Sequence, residues 1–265
     1  MDRYILLNPS GNITALVKNI RIPKEQYKEI SDRIMKSNPA VEQVGFLKIL
    51  KPEYKFRLEM AGGEFCGNAS RAVACYLYKE KLITKKRFQI SVSGYPDLID
   101  CEVYKKGEHY FSEVDLKFLK PINNFIENKT LNNQKISVVH IPGISHIFLD
   151  MNIFKFDKEN YSIQARSIIK KLNLLNLPAV GVIWFGDRQI HPVVYVKDID
   201  TLFYENSCGS GSIAYGIYQV YLNNQDGLFS YDVIQKNREV IKVTIELKDK
   251  IITHAKLYGE TKFSL

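Results

Sequence analysis

The sequence predicts an α+β protein made of two pseudo-symmetric domains, each a barrel of strands wrapped around a central helix. Three observations predict it. Short stretches rich in β-branched and aromatic residues recur along all 265 residues and read as strands. Two segments are apolar around most of their circumference, with Ala69, Ala72, Val73, Ala74 and Leu77 in one and Ile213, Ala214, Ile217 and Val220 in the other. That is the pattern of a helix buried on all sides. Both segments open on a similar pentad, Cys66-Gly67-Asn68-Ala69-Ser70 and Cys208-Gly209-Ser210-Gly211-Ser212, placed about half a chain apart.

The elements follow in order. Tyr4–Leu7 and Ile13–Val17 flank the turn formers Asn8-Pro9-Ser10-Gly11-Asn12 and read as a hairpin or a sharp connection. Pro23 suits the start of a helix to about Ser37, with Tyr27, Ile30 and Ile34 on one stripe. Strands are expected at Val44–Leu50 and Tyr54–Met60, a helix from about Cys66 to Lys81, and strands at Phe88–Val92, Leu98–Tyr104 and Tyr110–Leu116. From Pro121 to Gln134 the chain turns polar and rich in asparagine, which predicts a linker or a long exposed loop. The second half then repeats the first. Strands at Ile136–Ile141 and Ile147–Asp150 precede a helix at Tyr161–Asn173. Strands at Ala179–Phe185 and Val193–Val196 lead to a helix at Cys208–Asn223, and three strands fill Leu228–Gln235, Val240–Leu247 and Ile251–Tyr258. The expected halves are residues 1–120, carrying Cys66, and 121–255, carrying Cys208.

Composition excludes several classes. Hydrophobic residues at 45% and charged residues at 25% are those of a globular chain that needs no metal or disulfide to hold a core. Lys+Arg 37 against Asp+Glu 29 gives a net charge of +8, but the basic residues lie in short groups such as Lys85-Lys86-Arg87 and Lys170-Lys171 with no nucleic-acid motif. They read as solvated faces. No apolar run approaches the ~20 residues that span a bilayer, so a cytoplasmic location is expected. The four cysteines have no zinc spacing and read as thiols. No metal site and no nucleotide motif is expected, and a homodimer is left open. Cys75 and Cys101 read as core.

The pentads carry the chemistry. A thiol at a helix N-terminus faces unpaired N–H groups and the positive end of the dipole, which is expected to lower its pKa into a range of about 3.5–7.5. The helix starts at Gly67, Asn68, Gly209 and Ser210, with Asn206 beside the second, suit a carboxylate. Two such starts facing one another would hold a small amino acid between two sulfurs. One thiolate removes the α-proton, the opposite thiol returns a proton to the other face, and the centre inverts.

The same residues resemble the cofactor-independent amino-acid racemases and epimerases of the diaminopimelate epimerase type, most closely the histidine racemases that feed opine metallophore synthesis. The matching stretches are Asn8-Pro9-Ser10-Gly11-Asn12, Glu42-Gln43-Val44-Gly45-Phe46, Gly63-Glu64-Phe65-Cys66-Gly67-Asn68-Ala69, Val92-Ser93-Gly94 and Glu205-Asn206-Ser207-Cys208-Gly209-Ser210-Gly211. The resemblance implies two halves around a cleft, a last strand (about 256–265) returning to the first half, and no cofactor. It implies Cys66 and Cys208 as the acid/base pair, substrate contacts from Asn12 and Gln43, and His146 assisting one cysteine. Glu42 and Glu64 match glutamates suited to an imidazole. Diaminopimelate epimerases carry a Glu-Arg pair before the second cysteine, and no arginine stands between Asp198 and Cys208 here. That argues for histidine over diaminopimelate or its sulfur analogue, and makes Glu205, with Asp200 behind it, the expected support for Cys208. A non-catalytic ligand-binding member of the fold is the remaining alternative.

Overall fold

The N-terminal hairpin forms in a computed structural model that describes residues 4–18, 21–50 and 55–263. Strands β1 (Tyr4–Pro9) and β2 (Thr14–Lys18) pair antiparallel around the Ser10-Gly11 turn. Helix α1 (Tyr27–Ser37) buries the expected stripe of Tyr27, Ile30 and Ile34 and carries the chain to β3 (Gln43–Leu50), parallel to β2. Strand β4 (Lys55–Met60) returns antiparallel, and the start expected at Tyr54 lies outside the described residues. Helix α2 (Gly67–Lys79) follows, then the meander β5 (Arg87–Val92), β6 (Leu98–Lys106) and β7 (His109–Leu116).

The segment expected as a linker is ordered structure. It holds the short strand β8 (Lys120–Pro121), a 3₁₀ turn whose Ile122 and Phe125 are buried, and strand β9 (Ile126–Leu131), antiparallel to β10 (Gln134–Ile141). Its asparagines misled because they punctuate. Asn132 and Asn133, with φ of 50° and 62°, make the two-residue turn of the β9–β10 hairpin, where two successive positive φ values match the twist of the strands.

The second half repeats the pairings of the first. Strand β11 (Ile144–Asp150) pairs antiparallel with β10, and α3 (Tyr161–Lys171) crosses over to β12 (Ala179–Gly186), parallel to β11. Strand β13 (Gln189–Val196) returns antiparallel, and a short additional strand not expected from the sequence, β14 (Thr201–Tyr204), pairs with it. Helix α4 (Gly209–Asn223) and the meander β15 (Gly227–Ile234), β16 (Val240–Lys248) and β17 (Ile251–Phe263) complete the repeat. Strand β17 joins the two sets: it pairs with β16, then its end pairs with β7 and β1. All seventeen described strands form one hydrogen-bonded network.

Helix α2 packs against β1, β6, β7 and β17, and α4 against β10, β11, β15, β16 and β17. Both helices are enclosed by strands, as their all-round apolarity requires, and Cys75 and Cys101 lie in the same core. Among the described residues no helix is long and apolar enough to cross a membrane.

The ordered connector predicts a measurable cost. Phe125 is buried against Phe118 with ring centroids 5.0 Å apart, so Phe125→Ala should lose about 3–5 kcal/mol in urea unfolding. A loss under about 0.5 kcal/mol, the response of an exposed loop, would contradict the packing.

Candidate active site

Each pentad places its sulfur in the same way. Cys66 is the N-cap of α2 with φ −124° and ψ 107°, and Cys208 is the N-cap of α4 with φ −133° and ψ 106°. Each sulfur accepts the N–H three residues on, from Ala69 and Gly211, at 3.3 Å. Ser70 and Ser212 each bond back to the cysteine carbonyl at 2.7 Å, which explains the serine closing each pentad. The two helix starts abut. A Cβ on Gly67 would lie 3.2 Å from the Gly209 carbonyl carbon, and one on Gly209 would lie 2.7 Å from the Asn68 nitrogen. Only glycine lets the two backbones approach this closely.

A chain of contacts leads from one sulfur toward the other. The Cys66 thiol donates to Gln43 Oε1 at 2.6 Å, Gln43 Nε2 donates to Glu205 Oε1 at 2.8 Å, and the Glu205 carboxyl lies close enough to Cys208 to push its thiol toward the protonated form. Glu42, Gln43, Glu64 and Glu205 line one hollow of about 350 Å³, counting its open mouth, walled by Val194, Val196, Ile199 and Phe203. The carboxylate of Glu42 is already engaged. Asn12 Nδ2 donates to it at 2.8 Å, the Asn206 backbone N–H at 3.1 Å, and Asn206 Nδ2 also donates to it. Glu64 is different: it is buried, and its Oε2 has no partner, nor has the buried Asn12 Oδ1. The Glu64 loop is pinned by Ser93 Oγ, which donates to the Glu64 carbonyl at 2.8 Å, and by Gly94, where a Cβ would meet Phe65 N at 2.2 Å.

His146, on β11, does not reach Cys208 directly. Its Nε2 lies 3.1 Å from Ser210 Oγ, which lies 3.5 Å from the Cys208 sulfur, and its Nδ1 has no partner. Gly181 makes the space for this ring, since a Cβ there would fall 2.2 Å from Nδ1. Asp200, expected behind Glu205, is elsewhere: it sits on the surface, 3.1 Å from Arg166. Three further residues at the site, Gln235, Lys236 and Asn237, carried no readable signal. Gln235 Oε1 accepts the Cys208 N–H at 2.9 Å, and Ser207 accepts Asn68 Nδ2 at 3.0 Å. Lys236 bonds the Tyr204 carbonyl at 3.0 Å, and Asn237 bonds the Ser10 carbonyl at 2.9 Å.

The electrostatics overturn one expectation. The N–H bonds from Ala69 and Gly211 do pull the thiols toward ionisation, but burial outweighs them, and Glu205 adds a second upward push on both sulfurs. The thiols therefore lie well above the ordinary range rather than below it. Burial also lifts the carboxyls, Glu64 to about 7 and Glu205 to about 8, the latter with help from Glu42. Burial lowers His146 to about 3, so its ring is neutral.

A family model described as "Histidine racemase CntK N-terminal domain" matches residues 3–264. The chain belongs to this histidine racemase family. A histidine racemase of Fusobacterium nucleatum is 34% identical over 229 residues, covering 84% of this chain and 83% of that one. One from Staphylococcus aureus is 27% identical over 235 residues, covering 84% and 83%. Among solved structures, a predicted epimerase of Pseudomonas aeruginosa superposes with a TM-score of 0.67 at 11% identity, covering 100% of this chain and 98% of that one. A hydroxyproline epimerase of Agrobacterium vitis with bound trans-4-hydroxy-L-proline gives 0.65 at 10% identity, covering 99% and 90%. The structural likenesses bear out the expected fold, and the family match bears out the resemblance read from the motifs.

Two outcomes follow for this racemase-family site. Gly209→Ala should cost about 1–3 kcal/mol in unfolding free energy through overpacking, whereas Gly186→Ala, whose Cβ would sit 3.8 Å from Met151 Cβ, should cost less. Equal effects in thermal melts would contradict the tight apposition. Glu64 gives a pH signature. Between its ordinary value of 4.5 and about 7 the unfolded chain releases the Glu64 proton while the folded chain keeps it, so stability falls as pH rises through that window. Glu64→Gln should gain on wild type by up to about 3 kcal/mol from pH 4 to pH 8, and urea titrations with a pH-independent difference would contradict it.

Proposed function

We propose that this chain interconverts L- and D-histidine without a cofactor, with Cys66 and Cys208 as the two acid/base groups. The observation that carries the reading is the pair of N-capping thiols on abutting helix starts, with Gln43 bonded to both Cys66 and Glu205 between them. The substrate carboxylate is placed at the N–H groups of Gly67, Asn68, Gly209 and Ser210, where helix ends favour an anion. One thiolate takes the α-proton and becomes a thiol. The electron pair left on the α-carbon delocalises into the carboxylate. The opposite thiol donates its proton to the other face and becomes the thiolate, so each turnover exchanges the roles of the sulfurs. Each preorganised donor to the developing charge contributes roughly 3–4 kcal/mol.

The side chain of the substrate is argued from acceptors. Glu64 Oε2 and Asn12 Oδ1 are buried acceptors without a donor, and such groups are costly unless an N–H reaches them. The imidazole and ammonium of histidine supply N–H groups, and the positive charge they bring offsets the Glu64 and Glu205 carboxyls that, together with burial, hold the thiols protonated. Glu42 then acts by fixing Asn12 and Asn206. His146 is read as steadying Cys208 through Ser210. The halves 1–120 and 121–255, with the tail on the first, are read as closing on the substrate to exclude water. A cytoplasmic location and a supply of D-histidine to metallophore assembly belong to the same proposal; the names of the relatives support its histidine racemisation.

Chiral chromatography of L-histidine, D-histidine and diaminopimelate incubated with the enzyme tests it. Racemisation of histidine alone is expected, and Cys66→Ala or Cys208→Ala should each lower it at least about 100-fold. Wild-type turnover in either variant would sink the two-thiol assignment, and inversion of diaminopimelate but not histidine would overturn the substrate.

A further inference from the structure

Arg71 is 0% exposed in α2, and among the described residues no carboxylate lies within ion-pair distance of its guanidinium. Its bonds all go to neutral groups. Nη2 donates to Asn68 Oδ1 at 2.9 Å and to Ser10 Oγ at 3.3 Å, Nη1 donates to the Glu260 carbonyl at 3.5 Å, and Nε has no partner. Glu239, which acts on the guanidinium through space, and Glu260, whose carbonyl it bonds, have their carboxylates occupied elsewhere, Glu260 by His109 at 2.7 Å and Glu239 by Lys262 at 2.7 Å. A buried charge without a counter-charge is expensive. This one sits near the start of a helix, where the dipole already opposes a cation. Long helical side chains lean back toward the N-terminus, and the bond to Asn68 places the guanidinium level with the first turn of α2, the turn capped by Cys66.

The location has two consequences. Mechanically, Arg71 holds Asn68, whose Nδ2 bonds Ser207 next to Cys208, and it holds Ser10, in the loop that carries Asn12. One side chain thus ties both thiol-bearing helix starts to the Asn12 loop. Electrically, it adds a full positive charge to the positive end of α2, behind a site where Glu42, Glu64 and Glu205 converge. We propose that Arg71 is a positioning residue that acts as the internal counter-charge of the racemase site, favouring the thiolate at Cys66 and the negative charge that develops on the substrate. It touches neither substrate nor sulfur, and it acts through Asn68 and through space. The absent carboxylate is the point of the design, since an ion-paired arginine would cancel its own field.

The inference rests on the two-thiol reading, and the test separates them by reading the thiol itself. The rate of Cys66 alkylation by iodoacetamide is followed by mass spectrometry from pH 6 to pH 10, beside a thermal melt. The groups facing Cys66 are Glu64, Glu205 and Arg71, and those facing Arg71 are Cys75, Cys66 and Glu239, so only Arg71 is altered in sign. Arg71→Met should move the alkylation profile up by a pH unit or more and lower kcat at least tenfold more than it changes KM. Arg71→Lys should melt earlier yet keep the profile within threefold of wild type. Ser10→Asp supplies the missing carboxylate beside the guanidinium, so it should shift the profile as Arg71→Met does while keeping the fold. A folded Arg71→Met or Ser10→Asp with the wild-type profile overturns the proposal and makes Arg71 a mechanical staple, as does failure of both variants to fold. A shifted profile in a chain that does not racemise histidine would uphold Arg71 and remove the substrate assignment instead.

Discussion

The backbone contact between Gly67 and Gly209 sets the geometry on which the rest of the molecule depends. Helix ends repel one another electrostatically and are seldom pressed together, because their unpaired N–H groups want water or an anion. Here the strand network forces the meeting. Each helix is apolar on most sides and must be enclosed, so each set of strands fixes its own helix. Strand β17 passes from β16 to β7 and β1 and thereby registers one set against the other. The glycines remove the last steric obstacle. With the helix ends opposed, the capping positions bring Cys66 and Cys208 to a shared carboxyl and amide.

Opposing the sulfurs creates an electrostatic problem that shapes the surrounding residues. Two thiols and three carboxyls in one buried place cannot all ionise, and burial drives the carboxyls of Glu64 and Glu205 toward the protonated form. A site in that condition is poor at proton abstraction until positive charge arrives. In the proposed reaction a cationic substrate would bring such charge transiently and Arg71 permanently. Burial lifts Glu42 as well, and the donors from Asn12 and Asn206 around its carboxylate only partly oppose that rise.

The sequence made the centre of this arrangement legible because its demands are local. A cysteine that caps a helix, a glycine that permits close approach and a serine that bonds back one turn are short-range requirements, and duplicating them makes them visible. The buried helices, the helices that precede them and the closing strands were legible for the same reason, since apolar periodicity reports burial directly. What stayed hidden depends on distant partners. Gln235 meets Cys208 across 27 residues, and nothing near Gln235 announces it. The asparagines of residues 121–134 looked like a loop because a tight hairpin turn and an exposed linker share a composition. The thiol environment was misjudged because helix position is written in the sequence, whereas depth of burial and the approach of Glu205 are products of the fold.

The account stands or falls on two different groups serving the two faces of one carbon. The direct measurement is deuterium incorporation at the α-carbon of histidine in heavy water during the first few per cent of conversion, starting from each enantiomer in turn. Opposed thiols predict deuterium in the newly formed enantiomer and almost none in the recovered starting enantiomer, in both directions. Label that appears equally in starting material and product from the outset would reveal a single exchanging base and contradict the opposed-sulfur arrangement as the source of the chemistry.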